Sequence, residues 1–396
     1  MSTSARSTAV ALDLRFDADK LDRLLESAGL DAVLVTSPHC TRYLLGGYRF
    51  FLYDRLDAIG SSRYLPVVGY LPGRLDDAFY VGAGNEDWGT EVVDLWVPSI
   101  VNASWSSRGA AELAARELAR RIPASSRVGI EPPFLPADAL QALVDDLPSV
   151  ELVDASGVLD DLRAIKAAEE LDLMRLGSAK VVDAMLATFS ALAAGATTRE
   201  AVELLRLEQT RRGLTFDYGL VAAGSSLNRA PSSRQIRPGD VLSLDSGADL
   251  DGYTADLTRM GIAGEPSPRH EELLSQVDGV MRCVRSAIRP GAIGGDLFAV
   301  ARTAIDALPD GPRMSFLAHG TGLLTHEAPR LTDSGSPPYP ATHRDLPLEP
   351  GMALSLECQV ADPEHGFIKL EDTVFVTADG FEAVGDHGRG WNRLGR

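Results

Sequence analysis

The stretch "LSLDSGADLDGYTADLTR", residues 242 to 259, carries four aspartates: Asp245, Asp249, Asp251 and Asp256. It opens with alternating apolar residues and contains Asp-Gly, the pattern of a β-hairpin. A four-residue loop from Asp249 to Gly252, flanked by Ala248 and Tyr253, would set Asp245 directly opposite Asp256 and on the same face of the sheet. Two bare carboxylates at that spacing repel, and a cation between them reverses the sign of the interaction. Asp249 and Asp251 fall in the loop of that register, where aspartate serves turn chemistry.

A second stretch repeats the theme. "PGDVLSLD" (238–245) and "PGMALSLE" (350–357) share Pro, Gly, Leu, Ser and Leu at matching positions, and each ends in a carboxylate. Pro-Gly makes a turn ahead of each strand; alternation then groups Asp245 with Val241 and Ser243, and Glu357 with Ala353 and Ser355. An internal duplication accounts for the match and would place the two acids about a pseudo-twofold axis. Downstream, "GFIKLEDTVFVT" alternates so that Phe367, Lys369 and Glu371 share one face, with Ile368, Leu370 and Val374 on the other. Asp245, Asp256, Glu357 and Glu371 then converge from two hairpins. So dense a burial of acids requires that they be protonated or bind metal.

Between the hairpins lies "AHGTGLLTHEAPR", with His319 and His326 seven residues apart. That spacing fits neither the four-residue interval of helical zinc sites nor a local clamp, and Gly-Thr-Gly lacks the strand and third glycine of a dinucleotide loop. An isolated His39, beside Pro38, reads as a loop residue.

The chain that must position these side chains has 396 residues, enough for two domains with separate cores. "DADKLDRLLESAGLDAVLVTS" gives a helical stripe of Leu21, Leu24, Leu25 and Ala28 that stops at Gly29, then the strand "AVLVT". "FLPADALQALVDDLP" and "VELVDAS" repeat helix and strand, so residues 1–162 read as an α/β domain without a catalytic cluster. Residues 163–396 form the second domain. It begins with a long helix whose Leu171, Met174, Val181, Met185, Phe189 and Leu192 share one face, then a helix capped by Thr197 and Glu200, then strands from residue 215.

Composition narrows the partners. With 38 basic and 56 acidic side chains the formal net charge is −18, which repels nucleic acid and anionic lipid. Three cysteines at wide spacing, Cys40, Cys283 and Cys358, predict free thiols, and the lack of a signal-like or membrane-spanning apolar run predicts a cytoplasmic protein.

Taken together, "DSGADLDGYTADLTR", "HGTGLLTHEAPR", "PGMALSLE" and "KLEDTVFVT", in that order, resemble the pita-bread metallohydrolases: Xaa-Pro aminopeptidase, prolidase, methionine aminopeptidase and the creatinases. The likeness runs from about residue 163 to the end, and "LDAVLVTSPHCTRYLLGG" is similar to the creatinase-type N-terminal domain. It implies an α/β creatinase-like domain followed by an α+β pita-bread catalytic domain with internal pseudo-twofold duplication. It also implies a site for two divalent ions, in which Asp245 chelates one, Asp256 and Glu371 bridge both, and His319 and Glu357 complete the other. Four carboxylates and one imidazole are a mostly hard set that suits Mn²⁺ and tolerates Zn²⁺, Co²⁺ or Fe²⁺. Glu357 then becomes the proton shuttle and His326 the donor that steadies the tetrahedral intermediate.

The pattern departs from the family at the substrate wall. Asn228 and Ser315 stand where family peptidases place histidines, Cys358-Gln359 replaces Pro-Gly, and Lys369 replaces an arginine whose bidentate fork an ammonium cannot reproduce. These three positions, Asn228, Ser315 and Lys369, are the expected substrate contacts. The expectation is a dinuclear hydrolase of an amide bond, with an Xaa-Pro dipeptide as the default substrate, that turns over simple Xaa-Pro dipeptides poorly. The alternatives are a hydrolase or lyase of a non-peptide small molecule, like the ectoine hydrolases or creatinases, and a non-catalytic binding protein on the same fold. Family habit adds a homodimer.

Overall fold

The computed structural model describes residues 16–51, 60–193, 195–335 and 338–395. Backbone packing separates a first unit that ends at Leu162 from a second that begins at Arg163.

In the first unit α1 (Ala18–Ser27) starts at Asp17, whose carboxylate accepts the Lys20 N–H, and buries Leu21 and Leu25. Then follow β1 (Ala32–Val35), α2 (Pro38–Leu44), β2 (Val67–Tyr70), β3 (Phe79–Ala83), α3 (Asp87–Thr90), β4 (Ser99–Ser104), α4 (Ser107–Ala119), β5 (Arg127–Ile130), α5 (Ala137–Asp146), β6 (Glu151–Asp154) and α6 (Ser156–Ala164), whose last two residues belong to the second unit. The six strands form one mixed sheet in the order β4-β3-β2-β1-β5-β6. Small residues on α4 (Ala110, Ala111, Ala114) let that helix lie close against Phe79, Val81 and Val128. His39 is not in a loop but in the first turn of α2, because Ser37 caps that helix through the Cys40 N–H and Pro38 fits its first position. The Glu131 carboxylate accepts the N–H groups of Thr36 and Ser37 at 2.7 and 2.8 Å just ahead of the helix.

The second unit is the same device used twice. Two helices, α7 (Ala168–Ala191) and α8 (Thr198–Arg211), precede β7 (Thr215–Ala223), β8 (Val241–Leu250) and β9 (Tyr253–Ile262). Two more, α9 (Pro268–Ala287) and α10 (Asp296–Asp306), precede β10 (Met314–Gly320), β11 (Ala353–Asp362) and β12 (Gly366–Val376). The short β13 (Phe381–Val384) and β14 (Asn392–Arg393) pair with β12 and β9. The sheet runs β10-β11-β12-β9-β8-β7, so the two halves meet at its centre where Glu371 pairs with Thr258. Each half has its own core: Val181, Met185 and Leu205 pack on Leu242, Leu244 and Leu257, while Val277, Val280 and Leu297 pack on Leu354, Leu356 and Leu370. Leucines at alternate positions therefore turn one face of both hairpins to the helices and leave the other for polar side chains.

The β8–β9 turn differs from the expected four-residue loop. It is the two-residue Asp251-Gly252, both at positive φ (50° and 99°), with Leu250 opposite Tyr253. Asp249 lies within the strand opposite Thr254, and its carboxylate accepts the Gly252 N–H at 2.9 Å. The register thus moves by two residues: Asp256 faces Gly247 and Asp245 faces Thr258. Because the displacement is even, Asp245 and Asp256 keep a common face and become diagonal neighbours.

Candidate metal centre

The register puts the chemistry on one face. Asp245 and Gly247 lie opposite Thr258 and Asp256; Glu357 and Gln359 lie opposite Glu371 and Lys369; and Glu371 pairs with Thr258 across the middle. His319 pairs with Ser355, two residues from Glu357, and so joins the same face. Asp245, Asp256, His319 and Glu371 are buried, while the Glu357 side chain keeps about 16% of its surface exposed.

Asp256, His319 and Glu371 each offer one ligand atom, all within 4.8 Å of one another. The His319 Nδ1–H donates to the Gly320 carbonyl at 3.1 Å, which turns Nε2 toward Glu357 and Glu371, each 3.9 Å away. His319 Nε2 and Asp256 Oδ1 are buried and lack a hydrogen-bond partner. Orphaned buried atoms of this kind are costly unless something binds them, and hard oxygen donors with one imidazole fit a divalent ion. Burial pushes the Asp256 carboxyl well up, with Glu371 and Asp245 adding repulsion.

Around these atoms the chain supplies a supporting ring. Ser355 Oγ and Thr258 Oγ1 donate to the two oxygens of Glu371 at 2.8 and 3.1 Å. Tyr218, on β7 opposite Gly247, hydrogen-bonds to Asp256. A side chain at Gly247 would collide with that ring, its Cβ falling 2.4 Å from Tyr218. The acids also meet a partner that the choice between protonation and metal did not include. Lys369 is buried with Nζ 2.6 Å from Asp245, 2.5 Å from Glu357 and 2.8 Å from Glu371, and Arg229 pairs with Asp245 as well. Burial opposes the charge on Lys369, but the three carboxylates outweigh it and raise its pKa well above the ordinary value.

His326 reaches the site by a fold-back of the chain. The Glu327 N–H donates to the Gly320 carbonyl at 3.0 Å and the Gly320 N–H to the Pro329 carbonyl at 3.1 Å, which lays the two imidazoles against each other, 3.7 Å between centroids. Glycine is required at 320, where a Cβ would stand 2.4 Å from the Ala328 carbonyl carbon. His326 Nδ1 lies 3.3 Å from the Tyr339 hydroxyl. Burial, followed by repulsion from His319, Lys369 and Arg330, lowers its pKa to about 3, so the ring is neutral near pH 7.

The three residues read as a substrate wall part company. Asn228 is an exposed loop residue whose side-chain oxygen accepts the Ala230 N–H, and Ser315 is exposed on β10 opposite Gln359. Lys369 lies among the carboxylates. Arg229, Tyr218, Thr258, Ser355 and Tyr339 were missed by sequence reasoning. The alternation that groups Ser355 with Glu357 and Thr258 with Asp256 contained the signal for two of them.

The family model described as Metallopeptidase family M24 matches residues 172–378, more than half of the chain, and that of the Creatinase/Prolidase N-terminal domain matches residues 18–165. An Xaa-Pro dipeptidase of Pyrococcus furiosus is 29% identical over 230 residues, 56% of this chain and 63% of that protein. An Xaa-Pro dipeptidase of Lactobacillus delbrueckii is 26% identical over 92% of this chain and 95% of its own length. A solved structure of an Xaa-Pro dipeptidase from Bacillus anthracis superposes with a TM-score of 0.78 at 23% identity, covering 96% of this chain and all of that one, which shows a shared fold. With both domain models matched in order and the acids gathered on one face of the duplicated sheet, the chain belongs to metallopeptidase family M24 and carries a creatinase/prolidase N-terminal domain.

Proposed function

We propose that the protein is a metal-dependent hydrolase of the amide bond in a dipeptide, Xaa-Pro by default, with Asp245, Asp256, His319, Glu357 and Glu371 as its metal-facing donors. One observation carries the reading: Asp256 Oδ1 and His319 Nε2 are buried, unpartnered and close to Glu371. The hard donor set favours Mn²⁺. A divalent ion held there polarises the substrate carbonyl and lowers the pKa of water. Glu357, the carboxylate of the group most open to solvent, takes the proton from the attacking water and returns it to the leaving amine. Neutral His326 donates to the carbonyl oxygen as it gains negative charge. Exposed Asn228 and Ser315 offer uncharged contacts to the rest of the substrate.

Relatives named Xaa-Pro dipeptidase support a dipeptide substrate, as does a probable dipeptidase PepE of Mycobacterium bovis, 29% identical over 93% of this chain. The complete donor set argues against a binding protein that has lost its chemistry. A homodimer in the cytoplasm completes the reading. Its support is the free state of all three cysteines, no helix among the described residues long and apolar enough to cross a membrane, and the exposed Trp88, Val92 and Trp105 of the first unit.

The test is a hydrolysis panel of Xaa-Pro dipeptides, other dipeptides, and N-acyl and cyclic amides, run on metal-stripped and manganese-loaded protein. A dipeptide should be the best substrate, in place of the poor turnover that the substitutions at Asn228, Ser315 and Lys369 lead one to expect, with activity lost on stripping and restored by Mn²⁺. Cleavage of N-acyl or cyclic amides alone would overturn the dipeptide assignment, and full activity without metal would overturn the mechanism.

A further inference from the structure

The two halves of the sheet put opposite charges at equivalent places. Two residues beyond Asp245, Gly247 faces Asp256; two residues beyond Glu357, Gln359 faces Lys369. The repeat that supplies an acid in one half supplies an ammonium in the other. Lys369 Nζ contacts Asp245, Glu357 and Glu371 at 2.5 to 2.8 Å, and the Arg229 guanidinium adds a second positive charge at Asp245 while lying over the Phe367 ring. Asp256 has no ion pair among the described residues. Its Oδ1 and His319 Nε2 are the unpartnered atoms of the centre. Positive charge is therefore paired directly with Asp245 and Glu357 and reaches Glu371, while Asp256 and His319 have no cation in contact among the described residues.

We propose that the chain holds one divalent cation tightly, at Asp256, His319 and Glu371, and that Lys369, assisted by Arg229, stands in for a second cation between Asp245 and Glu357. The proposal rests on the metal-hydrolase reading and adds to it the identity of the occupied position. A second ion has to displace Nζ from three carboxylates inside a buried site and then sit beside it, two like charges with little solvent to screen them. Lysine suits this role because its ammonium is a compact point charge on a flexible stem.

The experiment is calorimetric titration of metal-stripped protein with Mn²⁺, with elemental analysis of the ions that survive desalting. Wild type should retain one ion per chain. Lys369→Met should retain two, its second ion bound at least about 100-fold more tightly than any second ion in wild type, the scale of removing a buried like charge. Arg229→Gln, at a partly exposed position where folding is safer, should strengthen second-ion binding about tenfold, in keeping with a more solvated charge. Asp245→Asn should keep the wild-type ion and His319→Ala should lose it. If metal-free Lys369→Met does not fold, purification in manganese and an ion count of two serve in its place. Two ions of similar affinity in wild type overturn the inference and leave the metal-hydrolase reading standing, as does one ion in both Lys369→Met and Arg229→Gln, or loss of the ion in Asp245→Asn. No Mn²⁺ binding by any form overturns both.

Discussion

Two stacked imidazoles divide the work at the residue scale. His319 holds the Gly320 carbonyl through Nδ1 and keeps its unpartnered Nε2 for the acid cluster, whereas the hydrogen-bonding contact of His326 among the described residues is the Tyr339 hydroxyl, 3.3 Å away. His326→Ala should therefore leave metal content unchanged and lower kcat by about 10²-fold, the scale of a lost donor or acid–base group. Elemental analysis beside steady-state kinetics checks this, and metal loss in the variant would mean that the two histidines exchange roles. Asp256→Asn should lower metal content, because it weakens a donor whose orphaned oxygen faces His319. The acids were legible in the sequence because strand alternation is a strict rule and carboxylates gathered on one face need a partner. Arg229 was not legible, since a loop arginine carries no periodicity, and Lys369 read as an altered substrate contact because nothing local reveals how deeply its ammonium is buried.

At the scale of elements the seam between β9 and β12 decides whether the two halves hold their acids together. Arg259 is fully buried and donates to the carbonyls of Thr258 and Glu371 at 2.8 and 2.9 Å, the two residues that pair across the seam. It also pairs with Asp372 at 3.0 Å, and Asp372 is shared with Arg285 and Arg389. Burial alone would raise the Asp372 carboxyl, but the three guanidinium groups overcome it and bring its pKa from 3.8 down to about 2. A carboxyl lowered on folding stabilises the protein above its unfolded pKa and loses that contribution as pH falls through the folded one. Roughly 2 kcal/mol should thus disappear between pH 4 and 2 in wild type, and Asp372→Asn should lack that slope while being about 3 kcal/mol less stable at pH 7. Urea unfolding across pH measures both, and equal slopes in the two proteins would sink the account. The seam could not be read from sequence, because the pairing of β9 with β12 joins segments more than a hundred residues apart. The hairpin was legible and its register was not: Asp-Gly marks the turn, but choosing two residues over four depends on positive φ at Asp251 and Gly252.

For the whole molecule, the duplication is visible in "PGDVLSLD" and "PGMALSLE", and the strand order repeats it around the centre of the sheet. The first unit offers no such internal echo, and its exposed aromatics had no sequence signature. If Trp88 and Trp105 lie in the interface of a homodimer, Trp88→Glu and Trp105→Glu together should convert a dimer to a monomer in light scattering without changing the metal content of the second unit. A monomeric wild type would remove the dimer from the reading. The ammonium at the heart of the second unit has a consequence for the life of the protein in a cell. With Lys369 on three of the four carboxylates, the nest is balanced in part from within, and its closure during folding should depend less on an ion than at sites whose folding is driven by metal capture. Synthesis is then uncoupled from metal supply. Chains made without metal should then be folded, resist limited proteolysis as the metal-loaded form does, and gain activity on addition of Mn²⁺ without refolding.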